Sequence, residues 1–311
     1  MVVVVAPNPS LDKTVIIPDF ALGQIFRPSE VLTLAGGKGF NFARALKTLG
    51  HLSVVVAPLG RQQGQFFLEL ARQEALQWDV QYIEGEVRTC LTVIDPAHQN
   101  RSTEIYEKGP VLQVADWEKQ VELTASHFGE TSYLAVCGSF PPGIPQAGLA
   151  GLVRRAKGAG KKVLLDTFGP QLDGVLELSP DLLKINQFEA GSLVGRPLET
   201  AAEALEAAQE LQQRGAQAVV ITLGKVGAVG RTAGGETFGW SSPKVEAAFS
   251  TGSGDSLLAG LVSGLLEGQG LAEAVRRGVA AGAANTLEMG AGRFERGAYA
   301  NLLEAILPLS L

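Results

Sequence analysis

The residues best suited to chemistry lie between Ser250 and Leu266, in the stretch STGSGDSLLAGLVSGLL. Gly252 and Gly254 flank Ser253, and one carboxylate, Asp255, follows. Apolar residues then recur at Leu257, Leu258, Leu261, Val262, Leu265 and Leu266, the spacing of one helix face. Asp255 therefore falls in the first turn of a helix whose approach is nearly all backbone. Glycines let main-chain N–H groups come close to a ligand, and the helix dipole adds about half a positive charge there. Such a place binds phosphate, and a carboxylate beside it can take a hydroxyl proton. The plain alternative is an ordinary capped core helix.

A second stretch, LAGGKGFNFARALKTLG from Leu34 to Gly50, has the same form with the opposite charge. Glycines surround Lys38, and Asn41 begins a face made of Phe42, Ala45, Leu46 and Leu49. A cationic, glycine-rich helix start suits a polar or anionic small molecule. Two common phosphate motifs are absent. The dinucleotide pattern G-x-G-x-x-G fails, because Leu257 and Phe42 stand where its third glycine belongs. A P-loop fails because Gly224-Lys225 is followed by Val226.

Elements able to position these stretches are legible in the alternation of short β-branched runs with amphipathic segments. Val2–Val5, Val54–Val56, Tyr133–Val136, Val163–Leu165, Leu182–Ile185 and Val219–Thr222 read as strands buried on both faces. Phe66–Leu76, Asp116–His127, Gly148–Lys157 and Ala201–Arg214 read as helices between them. The pattern predicts a three-layer α/β sandwich around a mainly parallel sheet. Residues 13–34 and 86–108 hold strand-like runs with no helix between them, and predict a small antiparallel sheet that covers the site as a lid. We read residues 1–311 as one domain carrying that lid.

Composition narrows the partners. Of 311 residues 46% are hydrophobic, enough for a large core, and 26 basic against 32 acidic residues give a net charge of −6. That balance argues against a general nucleic-acid or membrane-surface protein. Cys90 and Cys137 sit in apolar runs and read as buried reduced thiols, and His51, His98 and His127 lack metal-ligand spacing with them. MVVVVAPNPS has no basic leader region, and no run approaches about 20 apolar residues, so the expected location is the cytoplasm.

Taken together the stretches GGKGFN and TGSGDS resemble the two signatures of the ribokinase-like sugar kinases, the PfkB family. Further matches in order are Asn8-Pro9-Ser10-Leu11-Asp12, Gly138-Ser139-Phe140-Pro141-Pro142-Gly143, Lys184-Ile185-Asn186-Gln187-Phe188-Glu189 and Thr222-Leu223-Gly224-Lys225-Val226-Gly227. The resemblance implies the ribokinase-like fold and a kinase using ATP and Mg²⁺. It implies Asp255 as the base, with amides of Gly252, Ser253 and Gly254 as the anion hole. Asn186 and Glu189 match the element that places Mg²⁺ through water. Lys184, Asn186, Thr222, Gly224, Gly227 and Asn285 match ATP-binding positions. Asp12, Gly37, Lys38 and Asn41 match the sugar site.

The Asn-Pro-Ser-Leu-Asp opening, Arg27, Arg88 and the stretch Thr103-Glu104-Ile105 look most like the phosphosugar branch, with Arg88, Lys38 and Arg27 as phosphate contacts and Ser139 as a further donor. The implied reaction is fructose 1-phosphate to fructose 1,6-bisphosphate. Tagatose 6-phosphate, an unphosphorylated sugar or nucleoside, and a catalytically silent sugar-phosphate sensor stay open as alternatives. Pairing of the exposed lid strands predicts a homodimer.

Overall fold

The computed structural model describes residues 1–172 and 174–311. The chain begins with β1 (Val2–Val5), β2 (Ser10–Ile16), β3 (Glu30–Gly36) and α1 (Lys38–Thr48). Next come β4 (Ser53–Gly60), α2 (Arg61–Gln73), β5 (Gln77–Ile83), β6 (Arg88–Asp95) and β7 (Arg101–Tyr106). Then α3 (Val114–Ser126), β8 (Tyr133–Cys137), α4 (Gly148–Gly158), β9 (Lys162–Asp166), β10 (Leu182–Asn186), α5 (Gln187–Val194), α6 (Ala201–Gln213) and β11 (Val219–Thr222) follow. Last are β12 (Gly227–Arg231), β13 (Thr237–Ser241), α7 (Ser253–Leu266), α8 (Leu271–Asn285) and α9 (Arg296–Glu304).

Among the described residues nine strands form the main sheet, in the order β13-β12-β11-β10-β9-β8-β1-β4-β5. Pairings from β11 to β5 are parallel, and β12 and β13 add antiparallel strands at one edge. The run VVVV is explained by its central place. Val2 and Val4 join the core under α1, α7 and α8, while Val3 and Val5 join the core under α4 and α6. All four are fully buried, and each contributes about 1.5–3 kcal/mol through removal from water. A polar residue at either face would leave an unmatched group between layers, so no alternation survives in the sequence.

The smaller sheet has the order β3-β2-β6-β7. Its two hairpins are antiparallel, but β2 and β6 pair in parallel, so the expected antiparallel sheet is mixed. Within it β2 begins at Ser10 and β3 ends at Gly36, which carries Asp12 and the approach to Lys38 into the sheet itself. Cys90 and Cys137 are free and buried. Among the described residues no helix is long and apolar enough to cross a membrane.

Candidate active site

Two helix starts meet at the mouth of a cavity of about 700 Å³. Gly252, the residue before α7, has φ +85°, and a Cβ there would lie 2.5 Å from that of Ala291. Gly37, before α1, has φ +83° with Pro9 Cα 3.1 Å from the place of a Cβ. Only glycine suits either position. Neither helix has a side-chain cap; Phe40 N donates to Gly37 O at 3.0 Å and Ser253 N to Ser250 O at 3.3 Å, so part of each first turn is left for a ligand. Because α1 and α7 lie side by side, Asn41 Nδ2 donates to Asp255 Oδ2 at 2.9 Å across 214 positions of sequence.

Below these helix starts is a group of charges that sequence reasoning missed in part. Asp166, the last residue of β9, accepts from Lys38 Nζ at 2.9 Å and from Lys184 Nζ at 2.8 Å, and Lys38 also lies 3.7 Å from Glu189. Burial disfavours charge on Asp166, but Lys184 and Lys38 outweigh it and hold the carboxyl below its usual range. The same contest goes the same way for Lys38, whose ammonium is kept charged by Asp166, Glu189 and Asp255 against burial. Asp255 differs. Burial and the neighbouring Asp166 charge push it up to about 7, with Lys38, Lys184 and the Asn41 hydrogen bond pulling only partly back. A carboxylate at that value shares its proton readily near neutrality, which is what a general base requires.

One wall of the cavity comes from the small sheet. Asp12 accepts from Ser10 Oγ at 2.6 Å and from Gly37 N at 3.2 Å, and burial raises its pKa against those bonds. Arg88 Nη2 donates to Asn8 O at 3.1 Å and Nη1 to Glu107 O at 3.4 Å, while its buried Nε has no partner among the described residues. Asn8 Nδ2 donates to Ser139 Oγ at 3.2 Å, so Arg88 and Ser139 are tied to one residue.

The opposite wall rests on α5 and the turn after β11. Asn186 Oδ1 accepts from the N–H groups of Phe188 and Glu189, and Glu189 Oε2 accepts from Asn186 N. This reciprocal cap fixes both side chains and leaves Asn186 Nδ2 and Glu189 Oε1 uncommitted to it. Thr222 and Gly224 line the wall.

The structure thus brings Asp12, Gly37, Lys38, Asn41, Arg88, Ser139, Lys184, Asn186, Glu189, Thr222, Gly224, Gly252, Gly254 and Asp255 around one cavity. Four expected residues are placed elsewhere. Ser253 turns away, with its N–H and its hydroxyl both donating to Ser250 O at 3.3 and 2.8 Å. Gly227 begins β12 opposite Ser241 and serves strand pairing. Asn285 is fully buried as a brace. Its Oδ1 accepts from Ser256 Oγ at 2.8 Å and Gly292 N at 2.7 Å, and its Nδ2 donates to Thr251 O at 3.1 Å. Arg27 is exposed between β2 and β3, away from the cavity. Asp166 could have been noticed as a charge closing the buried strand KVLLD, and Asn8 as the polar residue after a valine run.

Comparison with known proteins gives this arrangement a class. The pfkB family carbohydrate kinase profile matches residues 8–296. The chain belongs to the pfkB carbohydrate kinase family, and is a phosphotransferase acting on a sugar hydroxyl. It is 33% identical over 273 residues to 1-phosphofructokinase from Rhodobacter capsulatus, covering 88% of this chain and 86% of that protein. Phosphofructokinase-2 from Escherichia coli, solved with fructose-6-phosphate, is 28% identical with a TM-score of 0.87 over 98% of each chain. A possible 1-phosphofructokinase from Thermotoga maritima, 24% identical, shares the fold with a TM-score of 0.87 over 99% of each chain.

Proposed function

We propose that the chain is an ATP-dependent phosphosugar kinase converting fructose 1-phosphate to fructose 1,6-bisphosphate. The observation that carries this reading is a base and an incompletely bonded guanidinium, Asp255 and Arg88, lining one cavity. Asp12 grips acceptor hydroxyls, and Arg88, with Ser139 beside it, holds the phosphate the acceptor already bears by charge-assisted hydrogen bonds. Asp255 takes the proton of the accepting hydroxyl as its oxygen attacks the terminal phosphorus of ATP in line. Main-chain N–H groups at Gly252 and Gly254 face the transferring group, and Lys38 and Lys184 offset charge on its oxygens. ADP leaves, and Asp255 gives its proton to water.

Among the described residues no three His, Cys, Asp or Glu side chains are set to hold a metal. That suits Mg²⁺ held mainly by nucleotide phosphates and water, with Glu189 Oε1 and Asn186 as outer partners. Mg²⁺ would supply neutralisation of phosphate charge.

The relative named 1-phosphofructokinase supports fructose 1-phosphate as acceptor. The Escherichia coli structure with fructose-6-phosphate supports a second reading, in which the acceptor lies in the opposite sense. ADP release measured with fructose 1-phosphate, tagatose 6-phosphate, fructose 6-phosphate and free fructose separates them. A kcat/KM for fructose 1-phosphate about tenfold or more above the others is expected. Preference for free fructose would overturn the role given to Arg88. We also propose a homodimer through the small sheet, whose strand β7 is exposed throughout, with Ile105 55% and Tyr106 50% accessible. Sedimentation as a monomer at micromolar concentration would remove that part.

A further inference from the structure

We propose that Glu104 is a positioning residue that latches the small sheet onto the main-chain segment leading into α7, so that covering the sugar and setting the anion hole are one event. The inference rests on the kinase reading above and adds a residue to it. Glu104 lies on β7 and touches the cavity. Its Oε1 accepts from Thr251 Oγ1 at 2.7 Å, and its Oε2 accepts from Tyr106 OH at 2.8 Å. Thr251 is the residue directly before Gly252.

Two further contacts from the small sheet reach the same segment. Asn100 Nδ2 donates to Ala247 O at 3.4 Å, and Ile16 and Ile94 cluster with Phe249 and Ala291. From the other side the segment is held by the core. Ala248 N and Phe249 N both donate to Thr286 O, at 2.8 and 3.1 Å, and Asn285 takes Thr251 O. Residues 247–251 are therefore clamped between the small sheet and α8, and only the contacts on the small-sheet side can be released without unfolding the core. Glu104 supplies the polar contact nearest the reacting groups. Its two acceptor oxygens meet two neutral hydroxyl donors, a set that orients a carboxylate without cancelling its charge. With the latch closed, Thr251 is fixed from both its side chain and its carbonyl, and Gly252 inherits that placement. With it open, the N–H groups of Gly252 and Gly254 lose their alignment with the transferring phosphate and water enters the cavity.

The test uses the full-length chain and the acceptor that the wild type phosphorylates best. Glu104→Ala should lower kcat/KM for the acceptor about tenfold or more and raise the ratio of ATP hydrolysis to sugar phosphorylation. Glu104→Gln keeps an acceptor oxygen for Thr251 and should stay within about threefold of wild type. Thr251→Val should match Glu104→Ala, and the double variant should be no worse than either single one. Hydrogen exchange gives a second readout. Acceptor binding should slow residues 101–106 and 250–254 together in the wild type, and Glu104→Ala should abolish the slowing at 250–254. Additive effects of the two substitutions, or a Glu104→Gln variant as impaired as Glu104→Ala, would overturn the latch. A wild type that phosphorylates no sugar would instead count against the kinase reading, which keeps the two failures distinct.

Discussion

The starts of α1 and α7 are built alike and loaded oppositely. Each begins after a glycine with φ near +84° (83° and 85°), each lacks a side-chain cap, and each opens on the same cavity. One bears Lys38 at its first position, where the helix dipole repels a cation; the other bears Asp255 in its first turn, where the dipole attracts an anion. Local structure alone would then leave Lys38 eager to lose its proton and Asp255 firmly ionised. The tertiary partners reverse both outcomes. Asp166 and Glu189 keep Lys38 charged, and burial beside Asp166 lifts Asp255 to about 7. Helix geometry supplies the cradle, and the buried acid under it decides which group can exchange a proton.

The largest effect should come from breaking the acidic half of this pair. Asp255→Asn should lower turnover by about 10²- to 10⁴-fold while ATP affinity, measured by calorimetry, is retained. The same variant should be more stable than wild type. Asp255 binds a proton in the native state between its ordinary value of 3.8 and about 7, whereas the unfolded chain has already lost it. The native carboxyl therefore costs stability as pH rises through that window, so Asp255→Asn should raise Tm by about 2–4 °C at pH 8 and not at pH 4.

Next in size is the acceptor side. Arg88→Ala should raise KM for a phosphorylated acceptor about tenfold while changing KM for ATP less than about twofold. Equal changes in both would move Arg88 out of the acceptor site. The smallest effect sharpens the comparison of the two glycines. Gly252→Ala meets the Ala291 Cβ at 2.5 Å, whereas Gly37→Ala meets Pro9 Cα at 3.1 Å. Both suffer the backbone penalty of about 1–2 kcal/mol, and Gly252→Ala should lose more stability to denaturant.

What the sequence discloses follows from how local each feature is. Val219–Thr222 and Gly148–Lys157 are legible because one run of residues carries the whole signal, and the observed elements match them within a residue. β5, QWDVQYI, escapes because it is an edge strand whose polar residues are used by a helix, Gln81 donating to Asp116 and Asp79 pairing with His127, and β12, GAVGR, because glycines dilute its pattern. Asp255 is legible because its loop and helix are contiguous. Asp166 is not, since its meaning comes from Lys38, 128 positions away, and Lys184. Asn285 shows the opposite hazard, a position suggested by resemblance that proves to brace Thr251 and Gly292 from inside the core.

The most direct test of the central claim is the pH dependence of kcat/KM for the preferred acceptor, in the wild type and in Lys38→Met. If Asp255 is the base in the charge setting described, kcat/KM falls with unit slope as pH drops below about 7. Lys38 lowers the Asp255 value, so removing its charge should move that limb upward by about one pH unit. A wild-type profile flat to pH 5, or a limb that stays in place in Lys38→Met, would contradict it.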